Sequence, residues 1–97
     1  MKNSHCIASG LRAIQKLDLA QVVRKIMEPA PDGKGWDKKT ALEAEKWYRR
    51  FLEVCIRFPD FPAVPNRLID DIWHQHILDT KAYAADCDAI FGEFMHH

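Results

Sequence analysis

Apolar and polar positions alternate with a helical period along almost the whole chain. Cys6, Ile7, Leu11, Ile14 and Leu17 recur every three or four residues. Asp18 is placed to cap a second run, in which Leu19, Val22, Val23, Ile26 and Met27 share one face. Pro29 and Pro31 stop that run, and Asp32-Gly33-Lys34-Gly35 reads as a turn in a flexible loop over about residues 29–39. The pattern resumes with Ala41, Leu42, Ala44, Trp47, Tyr48, Phe51, Leu52, Val54, Cys55 and Phe58. Thr40 followed by Glu43 has capping-box spacing, which predicts a helix starting at Thr40 and ending before Pro59.

The prolines at 59, 62 and 65 exclude regular helix from residues 59–65. Phe61 and Val64 are expected to pin this Pro-rich linker to the core. Asn66 is a good N-cap for a helix through Ile69, Ile72, Trp73 and Ile77. Asp79 or Thr80 then opens a last helix carrying Tyr83, Ala84, Cys87, Ile90 and Phe91, with Gly92 as its stop or as a tolerated small residue. No segment combines strand-like alternation with turn signals, and no internal repeat is visible. The expected fold is all-α: a small bundle of four or five helices forming a single domain over residues 1–97.

Composition narrows the function classes. Ninety-seven residues suffice for one domain and not for two. Fourteen basic and fourteen acidic side chains cancel, which argues against a general nucleic-acid binder. Cys6, Cys55 and Cys87 are odd in number and lack CxxC spacing, so free thiols in a reducing compartment are expected rather than a disulfide framework. Lys2, Asn3, Ser4 and His5 interrupt any apolar leader, and no apolar run approaches the roughly 18 residues of a membrane span. The expectation is a cytoplasmic protein with no membrane partner.

The densest chemistry lies between Ile69 and Thr80, where His74 and His76 stand among Asp70, Asp71, Asp79 and Trp73. On a helix His74 and His76 point about 200° apart, so they cannot chelate one metal from a regular helix. His76 falls on the buried-looking face with Ile69, Ile72, Trp73 and Thr80. His74 lies one turn after Asp70, so these two are expected to pair. A second cluster is Asp86-Cys87-Asp88 with His96 and His97. A chain reversal near Asp79 would bring Cys87, His96 or His97 toward His76, giving the mixed nitrogen and sulfur ligands that zinc favours. One straight helix would instead hold His76 and Cys87 about 16 Å apart.

Catalytic templates fit poorly: the chain has no Gly-rich phosphate loop, no HExxH and no GxSxG. A Cys87–His nucleophile pair stays open, with buried Cys as the simpler reading. Trp36, Trp47, Tyr48, Phe51, Phe58, Phe61 and Trp73 are read as core aromatics. Lys38, Lys39, Arg49, Arg50 and Arg57 are read as a solvated face, with Arg49 and Arg50 able to touch RNA phosphate in a weaker alternative.

The run Ile69 to Thr80, followed by Tyr83, Asp86-Cys87, Phe91-Gly92 and His96-His97, resembles the glycine-rich domain-containing protein-like family. Tyr48 to Leu52 and Pro65 are also similar to it. The resemblance implies a domain of largely unassigned biochemistry, standing alone in bacteria and embedded in longer plant proteins. Some relatives carry glycine-rich or RNA-binding regions, which do not transfer to a chain with four glycines. The matching positions are Asp70, Trp73, His74, His76, Tyr83, Cys87, Gly92, His96 and His97. The leading expectation is a non-catalytic binding module whose partner is a protein or a small molecule. The alternative is a zinc-type protein or metal-dependent enzyme with His74, His76, Cys87, His96 and His97 as ligands.

Overall fold

Five helices account for the apolar periodicity in the computed structural model, which describes residues 6–97: α1 (Ile7–Gln15), α2 (Ala20–Met27), α3 (Lys38–Arg57), α4 (Arg67–Leu78) and α5 (Thr80–Phe91). No strand occurs among the described residues, so the all-α bundle is observed as expected. Lys2, Asn3, Ser4 and His5, on which the argument against an apolar leader rests, lie outside the described residues. No helix among the described residues is long and apolar enough to cross a membrane.

The predicted breaks are real and each has a local cause. The N-cap position of α2 is Leu19 rather than the expected Asp18, whose Oδ1 accepts from the Ala20 amide at 3.0 Å; Leu19 and, within α2, Val22 and Ile26 are buried. α2 ends two residues before Pro29. The next segment folds back on it, with the Lys34 amide donating to the Ile26 carbonyl and the Gly35 amide to that of Glu28. These bonds satisfy carbonyls that a helix end leaves open. Asn66 Oδ1 accepts from the Ile69 amide at 2.8 Å and starts α4 as predicted. The helix axis breaks at Asp79, and Gly92 closes α5 in the left-handed region at φ 76°.

Three expectations are corrected. α3 starts at Lys38, capped by Asp37 rather than Thr40: Asp37 Oδ1 accepts from the Thr40 amide at 2.8 Å. A carboxylate there satisfies an open amide and meets the positive end of the helix dipole. That same amide bond holds the Asp37 carboxyl below its ordinary pKa. Glu43 then accepts from Trp47 Nε1 at 3.0 Å instead of closing a capping box. Second, Phe61 and Val64 do not pin the linker; they are 62% and 87% exposed. The amides of Phe61 and Ala63 donate to the carbonyls of Phe58 and Phe61, and the residue this turn lays on the core is Ala63. Third, Phe58 and Trp47 are exposed rather than core, with Lys46 and Arg50 lying over the Trp47 ring.

α3 is the central element. Its Ala41, Ala44, Tyr48, Phe51, Leu52 and Ile56 are buried against α1, α2 and α4, and α1 and α4 also pack on α5. Where α1 crosses, a Cβ on Gly10 would meet the Ile56 side chain and the Ile90 carbonyl, so only glycine allows this approach. Arg49 belongs to this architecture and not to a solvated face. Its guanidinium donates to the carbonyls of Ile14 at 2.6 Å and Leu17 at 2.7 Å, and to Glu45 at 2.8 Å. It thereby satisfies the end of α1 with charge-assisted bonds.

Candidate functional site

Tyr48, His76 and Asp86 come from three different helices and form one continuous polar chain through the core. His76 sits 2% exposed on the inner face of α4. Its Nε2 lies 2.8 Å from Asp86 Oδ2 on α5, and its Nδ1 lies 2.7 Å from the Tyr48 hydroxyl on α3. A carboxylate only accepts, so Nε2 carries the proton, and the bare Nδ1 accepts from the Tyr48 hydroxyl. Burial lowers the His76 pKa, against the opposing pull of Asp86. Burial also raises the pKa of the Tyr48 hydroxyl. An aspartate, a histidine and a hydroxyl in line have the order of a nucleophile relay, but Tyr48 is fully buried and presents no surface to solvent. The arrangement ties three helices together.

Trp73 and Tyr83 extend this polar core to the C-terminal segment. Trp73 Nε1 donates to the Tyr83 hydroxyl at 2.9 Å, which donates to the Met95 carbonyl at 2.5 Å. The His97 ring meets the Trp73 ring edge-on at 4.6 Å, while its Nε2 lies 2.5 Å from Asp70 Oδ1. Residues 92–97 are thus strapped across α4 and α5. The expected Asp70–His74 pair is replaced by Asp70–His97. His74 is exposed, on the opposite side of α4 from buried His76, as the helical period requires.

Of the proposed metal ligands the His74 and His97 rings lie edge-on at 6.4 Å, but the five are not gathered at one point. The chain does reverse at Asp79, yet Asp86 and Tyr83, not Cys87, His96 or His97, come up against His76. Both nitrogens of His76 are taken. Cys87 is buried beside the Tyr83 hydroxyl, and burial pushes its thiol up. His96 lies exposed against Phe94. No group of three or more His, Cys, Asp or Glu side chains among the described residues is placed to hold a metal ion.

On the far side of Trp73 lies a feature that the sequence reading missed: an open apolar groove of about 470 Å³. Phe51, Cys55, Trp73 and Phe91 form its floor. The linker, with Phe58 and Phe61, makes one wall, and the strapped tail, with Phe94 and Met95, makes the other. Phe58, Phe61 and Phe94 are 58%, 62% and 48% exposed. Cys55 is half-buried in the floor, and burial pushes its thiol up to about 11, so it is protonated at neutral pH. The signal in the sequence was the Phe58-Pro59-Asp60-Phe61-Pro62 stretch, where aromatics alternate with residues that cannot pack inside a helix.

The UCP032817-like family model matches residues 10–97, which span every element except the first turn of α1. The chain belongs to that family. This finding overturns the resemblance to the glycine-rich domain-containing protein-like family. The UCP032817-like family brings no assigned biochemistry with it. No curated protein and no solved structure matches the chain.

Proposed function

We propose that this domain is a non-catalytic binding module and that its apolar groove is the binding surface. The observation that carries this reading is the exposure of Phe58, Phe61 and Phe94 around a single concave groove. Exposed aromatics grouped around a concavity mark binding sites more often than isolated ones do. The polar residues have the complementary role. Tyr48, His76, Asp86, Trp73 and Tyr83 satisfy one another and hold the three helices and the tail that shape the groove.

The test uses N-phenyl-1-naphthylamine, an uncharged fluorophore that brightens in apolar sites. Saturable enhancement is expected with the intact chain. Phe61→Ser should abolish most of it while leaving thermal unfolding in place. Equal enhancement by the variant, or none with the parent chain, would sink the reading.

A further inference from the structure

We propose that the occupant of the groove is an organic cation: a small molecule carrying an ammonium or guanidinium group on an aromatic or aliphatic body. This deepens the reading of the groove as a binding surface and rests on it. The lining carries six Phe and Trp rings, Phe58 and Phe61 from the linker side, Phe94 from the tail, and Phe51, Trp73 and Phe91 from the helices. Aromatic faces carry negative potential and attract cations, most strongly where water is excluded.

The charge around the groove has the matching sign. Among the lining residues Glu93 is the one carboxylate, no Lys or Arg lines the groove, and His96 is the imidazole beside it. Asp60 stands exposed between Pro59 and Phe61, two of the lining residues. Neither carboxylate takes part in an ion pair among the described residues. Arg57, the adjoining cation, is exposed and does not line the groove. A cation seated on the aromatic rings therefore meets the uncommitted Glu93 carboxylate, with Asp60 next to the lining in sequence, and an anion meets that carboxylate's repulsion.

Size selects a small molecule over a second copy of the chain. A volume of about 470 Å³ falls within the range of small-molecule pockets. Three half-exposed phenylalanines offer on the order of 350 Å², less than half of the roughly 800 Å² per partner in a stable protein interface.

The test compares three probes of similar size on the full chain by amide NMR titration: benzyltrimethylammonium, benzyl alcohol and benzenesulfonate. Benzyltrimethylammonium should bind about tenfold more tightly than benzyl alcohol, and benzenesulfonate most weakly. Shifts should concentrate at residues 55–63 and 93–96. Glu93→Gln should cut the preference for the cation several-fold and leave benzyl alcohol affinity and thermal unfolding unchanged. Equal affinity for cation and alcohol would overturn the cation while leaving an apolar binding groove in place. No shift with any probe would remove both. Groove shifts that follow protein concentration, with a dimer in sedimentation, would overturn the small-molecule occupant.

Discussion

Two regions meet at Trp73 and invert the usual order of a small domain. On the inner side, a tyrosine, a histidine and an aspartate are buried or half-buried, where apolar residues are expected. On the outer side, phenylalanines stand in solvent, where polar residues are expected. Partners separate the two cases. The inner polar atoms are all matched, and no buried side-chain nitrogen or oxygen among the described residues lacks a hydrogen bond. The outer rings keep about half or more of their surface in solvent, Phe94 beside Tyr83 and His96. A buried polar group with full partners is a structural device, since low dielectric strengthens its bonds and punishes their loss. Exposed aromatics around a groove give the fold no comparable return, which is why the proposed reading gives them to a ligand. Histidines attract attention in a sequence, yet here the stronger pointer to binding is phenylalanine.

The largest way to break this contrast is at His76. A leucine there keeps the volume but leaves the fully buried Tyr48 hydroxyl without an acceptor, while half-exposed Asp86 can turn to water. His76→Leu should cost about 3 kcal/mol in urea unfolding, in the range for orphaned buried polar groups. Adding Tyr48→Phe should return about 1–2 kcal/mol, because the orphan is then gone. No recovery in the double variant would mean that the polar chain is not the unit described.

Arg49 tests the same region at its edge. Arg49→Met keeps much of the stem but gives up the bonds to the Ile14 and Leu17 carbonyls and to Glu45. A loss of about 2 kcal/mol is expected. Arg49→Lys should recover less than half, because a single ammonium cannot reproduce the fork of a guanidinium. Equal stability of the Lys variant and the parent would reduce Arg49 to a simple surface cation.

These two sites also show where the sequence was legible. Helix positions followed from periodicity and from breakers, since Pro29, Pro59, Asn66 and Gly92 act on their own backbone within a few residues. His76 and His74 were separated correctly because opposite faces of one helix are a local property. Partners were not legible in the same way. Arg49 bonds to residues 35 and 32 positions away, and His97 reaches Asp70 across 27. An i, i+4 neighbour is visible in sequence and points Asp70 to His74, whereas the folded tail that competes for Asp70 is not visible there. The groove escaped for a related reason: hydrophobicity reads Phe58, Phe61 and Val64 as core, and only the tight linker turn shows that they face out.

A smaller effect comes from pH. Burial lowers the folded pKa of His76 below its ordinary value near 6.5, so the folded chain resists a proton that the unfolded chain accepts. The unfolded state then binds more protons, and stability rises with pH across that interval. The contribution is fully present above about 6.5 and is lost as pH falls from there toward the lower folded value. Urea midpoints should decline through this window in the parent chain, and the decline should flatten in His76→Leu. An equal slope in both chains would place the titration elsewhere.

The smallest effect on stability is expected at the groove, and its smallness is what makes it informative. Phe61 is 62% exposed and Val64 is 87% exposed, so most of their apolar surface gains nothing from folding. Phe61→Ser should therefore change unfolding by no more than about 0.5 kcal/mol, as surface substitutions usually do. His74→Ala, on the exposed side of α4, should do the same and should also leave N-phenyl-1-naphthylamine binding intact. If Phe61→Ser instead cost as much as Arg49→Met, the linker would be a packed part of the core, and its exposed ring would no longer argue for a ligand. A variant that keeps its stability and loses the probe separates fold from binding at one residue. That result places the work of the domain on the outer side of Trp73.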